Sequence, residues 1–241
     1  MNFSIIVEAR LASTRLPNKI LYKINKFSFL EYLIKRLKLT KSVKEIIIAT
    51  TNNEKNDEII NIAKRSKIKW FKGSEKNVLE RVIKTGKHFK CKNIVRITSD
   101  CPIIDPEIID LAIESYKNNS CDYLSNTIIR SYPDGMDVEV FSLKALIKSS
   151  KFAKTTRDKE WTTWSIKKNP NKFKIINLVA PNNKKWPDLG LTLDQYEDYL
   201  FLKKIILSFK ERFDFNCISI INLLKKNKSW LKINKNVKRN L

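Results

Sequence analysis

Along the first half of the chain, hydrophobic positions fall into two alternating kinds of run. Phe3–Val7 is a short apolar stretch that predicts a buried strand, and Leu30, Leu33, Ile34 and Leu37 then recur at helical spacing. Ile46–Ala49 is again strand-like, Ile59, Ile60, Ile62 and Ala63 mark a short helix, and Ile68–Phe71 a third strand. Val78, Val82 and Ile83 predict the next helix, Ile94–Ile97 a fourth strand, and Ile108, Ile109, Ala112 and Ile113 a fourth helix. Strand and helix alternating four times, without hairpin turn signals, predict an α/β fold: a mostly parallel, Rossmann-like sheet with helices on both faces. Such sheets bind ligands at the carboxyl ends of their strands, so the residues following each strand are the ones to read for chemistry.

From about residue 127 to 185 the rhythm breaks. Tyr132-Pro133-Asp134-Gly135 reads as a turn, Val138 and Val140 alternate as in a strand, Leu143–Lys167 is helical in character, and Phe173–Ala180 is another strand. Two β segments around a helical stretch predict an excursion from the main sheet, a small β/α arm suited to homodimerisation. A helix from Gln195 to about Phe209 returns the chain, and Phe215–Leu224 is a last helix. The expected organisation is one α/β domain over residues 1–224 with a basic tail over 225–241.

Composition narrows the class. The 241 residues are 42% hydrophobic, enough for a sizeable core, which excludes a disordered chain. No apolar run approaches the roughly 20 residues of a membrane span, and MNFSIIVEAR lacks a signal-peptide layout. Four scattered cysteines and a single histidine argue against a zinc site or a disulfide framework, so the expectation is a soluble, reduced, cytoplasmic protein. The net charge of +23 comes from 38 lysines and 10 arginines against 25 acids. The lysines are dispersed, densest in the tail, where 17 residues carry seven Lys or Arg and no acid. A nucleic-acid reader favours arginine interleaved with aromatics on one face, so dispersed lysine speaks for a solvated surface rather than a nucleic-acid partner.

Two places carry candidate chemistry. After the first strand, Glu8-Ala9-Arg10-Leu11-Ala12-Ser13-Thr14-Arg15-Leu16-Pro17-Asn18-Lys19 sets three cations in a loop with small residues between them. Small residues let backbone N–H groups approach a polyphosphate while Arg10, Arg15 and Lys19 neutralise it. The loop contains no glycine, so neither the Walker pattern nor the dinucleotide fingerprint is present. Asp100 follows the fourth strand, and Asp194 follows the apolar stretch Leu191-Thr192-Leu193. Either acid alone reads equally as a helix cap or turn residue. Together, each ending a strand and facing a basic loop, they suit Mg²⁺ and metal-assisted phosphoryl or nucleotidyl transfer.

These same stretches resemble the spore coat polysaccharide biosynthesis protein F family, related to the acylneuraminate and deoxy-manno-octulosonate cytidylyltransferases. The resemblance rests on Glu8-Ala9-Arg10-x-x-Ser13-x-Arg15-Leu16-Pro17-x-Lys19, on Gly73-Ser74-Glu75 followed by Val78-Leu79-x-Arg81, and on Arg96-Ile97-Thr98-x-Asp100-Cys101-Pro102. It continues in Tyr132-Pro133-x-Gly135-x-Asp137-Val138-Glu139-Val140-Phe141 and Leu191-Thr192-Leu193-Asp194, collinear from residue 3 to about 208. It implies a nucleotide-diphospho-sugar-transferase-like fold and a cytidylyltransferase that activates a sugar acid or phosphorylated acceptor with CTP in surface-glycan precursor synthesis. By position, Arg10, Arg15 and Lys19 are expected at the triphosphate, Ala9, Thr50 and Ser74 near base and ribose, Arg81 at the nucleotide pocket, and Asp100 and Asp194 on Mg²⁺. An acceptor oxygen then attacks the α-phosphorus in line and pyrophosphate leaves, with positioning and charge neutralisation supplying most of the acceleration.

The acid-rich segment Asp134–Glu139 is expected to face a small anionic acceptor, with Asp137 or Glu139 as ligands. Relatives often carry Arg-Glu-His-Val-Thr in the next region, whereas this chain reads Arg157-Asp158-Lys159-Glu160-Trp161-Thr162-Thr163. Trp161 replaces the histidine, leaving Arg157 and Glu160 as acceptor candidates and keeping open a non-catalytic, sugar-nucleotide-binding homologue. Trp161 and Trp164, three apart, read as core or dimer contacts rather than a stacking platform.

Overall fold

The computed structural model describes residues 2–210 and 212–239. Strand β1 (Phe3–Glu8) leads through a loop and a 3-10 turn (Lys19–Leu21) to a two-stranded hairpin, β2 (Lys23–Ile24) and β3 (Phe27–Ser28), and then to α1 (Phe29–Leu37). Next come β4 (Glu45–Thr51), α2 (Asp57–Arg65), β5 (Lys69–Gly73), α3 (Val78–His88), β6 (Asn93–Thr98) and α4 (Pro106–Asn119). Then follow β7 (Tyr123–Ser125), β8 (Glu139–Ser142), α5 (Leu143–Ser150), α6 (Thr156–Glu160), α7 (Trp164–Lys167) and β9 (Ile175–Asn177), with α8 (Tyr196–Ser208) and α9 (Cys217–Lys226) last. Helix starts are written locally. Ser28 and Glu31 form a capping box on α1, and Asp105 caps α4 with Pro106 in its first turn.

One seven-stranded sheet runs in the order β5-β4-β1-β6-β8-β7-β9. β1 is parallel to β4 on one side and to β6 on the other, and β4 is parallel to β5. Successive side chains of a strand point to opposite faces. Ile5, Val7 and Ile48 therefore enter one core, under α1, α2, α4, α8 and α9, while Ile6, Ile47 and Ile94 enter a second, under α3, α5 and α7. Each fully buried Ile or Val contributes roughly 1.5–3 kcal/mol, which is why these strands read as continuous apolar runs. Arg36 on α1, also fully buried, donates to the carbonyls of Ile104, Phe213 and Phe215 at 3.0, 2.6 and 2.9 Å, joining α1 to the ends of two distant loops. Burial pulls its guanidinium down to about 10.

Three expectations need correction. The β segments of residues 127–185 do not leave the main sheet: β8 pairs antiparallel with β6 and β7, and β9 runs parallel to β7 at the edge. The expected strand before Asp194 is absent. Leu191–Leu193 is irregular and follows a single bridge between Asp134 and Gly190. The basic tail is not a solvated appendage either, because Lys228–Lys232 forms a 3-10 turn whose Trp230 and Leu231, with Ile233 beyond, pack against the larger core. Among the described residues, no helix is long and apolar enough to cross a membrane.

Candidate active site

The strand order reverses around β1: the chain moves outward from β1 to β4 and β5, then returns to place β6 on the other side. At such a switch point the loops after two adjacent parallel strands diverge and leave a crevice. A cleft of about 500 Å³ lies there, walled by the loop after β1, the turn after β6, Val78 and Arg81 of α3, Glu160 and Trp161, and Asp194.

The loop after β1 holds its shape without glycine. Ala9 N–H donates to Ala49 O across to β4, Ser13 and Asn18 N–H return to Leu11 O, and Leu16 N–H reaches the Ser13 hydroxyl. Asn18 takes the left-handed conformation, which asparagine tolerates. Leu11 N–H is held from outside by the buried Asn56 side chain at 2.8 Å, and Asn56 in turn donates to the Thr51 hydroxyl at 2.7 Å. The result is a fixed frame from which Arg10, Arg15 and Lys19 project into the cleft.

Two of those cations meet the two acids. The Lys19 ammonium lies 3.3 Å from Asp100 and 2.9 Å from Asp194, and Arg15 reaches the same Asp194 oxygen at 2.8 Å. Burial draws the Lys19 ammonium down, but Asp100 and Asp194 outweigh it and hold it above its ordinary value. Burial pushes the Asp100 carboxyl up, and Lys19 reverses that and holds it below the usual range. Asp100 keeps 31% of its side-chain surface open. Two hard-oxygen donors thus enclose a cation at the mouth of a cationic loop. Among the described residues, no cluster of three or more His, Cys, Asp or Glu that could hold a metal is formed.

Behind the cleft runs a network that sequence reading missed. Arg96 on β6 donates to both Glu8 oxygens at 2.7 Å and to Glu139 at 2.6 Å. Glu139 also accepts from Tyr123, Thr163 and Lys167 at 2.6, 2.9 and 2.8 Å. Burial would raise the Glu139 carboxyl, yet Lys167 and Arg96 hold it well below the carboxylate range. Glu139 is therefore a buried hub with both oxygens occupied, not the acceptor ligand expected of it. The partners of this hub lie far apart in sequence, and only the alternation of β8 pointed inward here.

The other expected residues divide. Ala9 and Arg81 line the cleft, as does Glu160, which pairs with Arg10 at 3.4 Å. Arg81 is buried and donates to Ser74 O at 2.7 Å, while its Nε has no hydrogen-bond partner, leaving a donor beside the cleft. Thr50 is fully buried outside the lining, with its hydroxyl unpaired, and the Ser74 hydroxyl accepts from Asn77 N–H. Neither side chain opens to the cleft. Asp137 is clamped by both Arg130 nitrogens at 2.8 and 3.1 Å. Arg157 leaves the lining to lie over Trp161 and Trp164. Trp161, expected in the core or at a dimer contact, is 40% exposed and forms part of the cleft wall.

A cationic, glycine-free loop facing paired aspartates at the switch point of a mostly parallel sheet defines a nucleotidyltransferase of the nucleotide-diphospho-sugar-transferase-like fold. Residues 4–232 match the family described as cytidylyltransferase, and the chain belongs to that family. It is 36% identical to an uncharacterised protein of Methanocaldococcus jannaschii, over 97% of this chain and 95% of the relative. It is 32% identical to the spore coat polysaccharide biosynthesis protein SpsF of Bacillus subtilis, over 92% and 93% of the two chains. A cytidylyltransferase of Leptospira borgpetersenii superposes over the full length of both chains with a TM-score of 0.91 at 31% identity.

Proposed function

We propose that this chain transfers the cytidylyl group of CTP to a sugar acid or phosphorylated sugar acceptor, with Mg²⁺, and that the activated product feeds surface-glycan assembly. The observation that carries the reading is the convergence of Asp100, Asp194, Lys19 and Arg15 at one end of the cleft. Family membership supplies the cytidylyl group, and the likeness to SpsF over nearly all of both chains points to polysaccharide precursors.

The two aspartates fit a divalent ion. They offer hard oxygen donors, they already surround a positive charge, and Mg²⁺ takes one or two carboxylates together with phosphate oxygens and water. When bound there, Mg²⁺ supplies Lewis-acid neutralisation of phosphate oxygens. Arg10, Arg15 and Lys19 bind the triphosphate. Lys19, at the end of the cationic loop beside both aspartates, is placed to neutralise charge gathering on the leaving pyrophosphate. The acceptor oxygen forms a bond to the α-phosphorus, the bond to the bridging oxygen breaks, pyrophosphate takes the electron pair, and a hydroxyl proton passes to solvent. Glu160 and Trp161 form the wall facing Arg10, where the acceptor enters.

Pyrophosphate release with CTP and each of the other nucleoside triphosphates, across sugar acids and sugar or polyol phosphates, with and without EDTA, tests the reading. Magnesium-dependent release with CTP and one acceptor class is expected. Equal turnover in EDTA, or no release with any acceptor alongside absent CTP binding, overturns it.

A further inference from the structure

We propose that Arg239, at the far end of the basic tail, is a positioning residue that sets Asp194 for metal binding, acting through Asp198. The inference rests on the reading of Asp194 as a metal ligand.

Asp198 stands in the first turn of α8 and is fully buried. One of its oxygens accepts the backbone N–H groups of Asp194 and Gln195 at 3.1 and 3.0 Å. The other accepts Arg239 at 2.7 Å and the Asn234 amide at 2.9 Å. The carboxylate is thus a two-sided peg, with the backbone of the proposed metal ligand on one side and the tail on the other. Arg239 also donates to the Thr192 hydroxyl, two residues before Asp194. The Lys238 carbonyl, next along the tail, accepts from Arg15, which itself holds Asp194.

The chain makes room for this guanidinium. A Cβ at Gly190 would fall 2.0 Å from Arg239 Nε and 2.1 Å from its central carbon, so a side chain at that position and the observed Arg239 exclude one another. One terminal nitrogen of Arg239 holds Asp198 and the other holds the Thr192 hydroxyl, a two-point fork that one lysine does not supply. Residues that orient a metal ligand without touching the metal typically change affinity by roughly 10- to 100-fold when removed. Among the described residues, no other side chain accepts the backbone N–H of Asp194.

The test uses the full-length protein, with Mn²⁺ as a paramagnetic probe and CTP as the nucleotide. Arg239→Ala removes the clamp, and Gly190→Ala displaces it while keeping Arg239 in the sequence. Lys235→Ala makes the same charge change at an exposed neighbouring position. Mn²⁺ affinity in the presence of CTP is read by electron paramagnetic resonance, CTP affinity in EDTA by calorimetry, and folding by thermal melting. Mn²⁺ affinity is expected to fall about 10-fold in both Arg239→Ala and Gly190→Ala, with metal-free CTP binding unchanged and Lys235→Ala like the wild type. Unaltered Mn²⁺ affinity in the two clamp variants, whatever their melting temperatures, makes the contact merely structural and overturns the inference. A wild type that binds CTP but takes up no Mn²⁺ instead overturns the metal reading of Asp194, and this inference falls with it.

Discussion

The N–H of Leu193 donates to the backbone carbonyl of Asp100 at 2.8 Å, fastening the turn after β6 to the stretch that carries Asp194. The two carboxylates are therefore brought together by the main chain, and Lys19 is not what assembles them. Substitutions at their side chains are expected to change chemistry and electrostatics while the loops stay in place.

Asp100→Asn is the most direct case. Asparagine can still contact Lys19, so the melting temperature is expected to stay near that of the wild type. Losing one charge-stabilising contact in a water-poor site typically costs ~3 kcal/mol, or ~100-fold in rate. A pyrophosphate-release assay checks this, and near-normal turnover removes Asp100 from the proposed metal site.

Lys19→Met is expected to lower activity by a similar factor and to alter how stability depends on pH. In the wild type Lys19 holds Asp100 below its ordinary pKa, so the stabilisation is complete above the unfolded value near 3.8 and is lost as pH falls through the lower folded value. Without the ammonium, burial dominates and Asp100 shifts up. The gap in melting temperature between variant and wild type is therefore expected to be wide at pH 7 and to close toward pH 3, in melts across that range.

Asp134 runs the other way. Burial and the neighbouring Asp137 push its carboxyl from 3.8 up to about 6, against the pull of Arg130 and Arg239. The folded chain holds this proton more tightly than the unfolded one, so stability falls as pH rises from about 4 to about 6 and is level beyond. The shift corresponds to on the order of 2–3 kcal/mol. Asp134→Asn is expected to abolish that slope, as read by urea unfolding at pH 4.5 and 7.5.

Glu139→Gln is expected to cost ~3 kcal/mol, because it leaves the charges of Arg96 and Lys167 without their buried partner. Urea denaturation measures the loss. Arg96 also positions Glu8 at the cleft, so catalytic efficiency is expected to fall along with stability.

The central strands were legible because a strand buried on both faces has no polar positions to blur it: Ile5-Ile6-Val7 and Ile46-Ile47-Ile48 announce themselves. The loop cations and the two aspartates were legible because each follows an apolar stretch. The edge half of the sheet was legible only in part: β8 and β9 were expected as strands, but β7 and their pairing with the main sheet were not. Tyr123-Leu124-Ser125 is three residues long, and β8 opens on Glu139, whose inward charge contradicts a core reading until Arg96 and Lys167 are seen beside it. Thr50 misled for the opposite reason: it sits where a ligand-binding residue belongs, yet its side chain turns into the interior. The tail was hidden by its own composition, for seven cations masked Trp230, Leu231 and Ile233 as anchors and Asn234 as a buried donor.

Asn56 bears on how the proposed triphosphate grip would work. By bracing Leu11 from the neighbouring α2 side, it casts the anion grip during folding rather than at the moment of encounter. Freezing a loose backbone costs roughly 1–2 kcal/mol per residue, and a grip already set incurs none of that on association. A set backbone leaves electrostatic attraction as a large part of capture, so its speed is expected to fall as ionic strength rises.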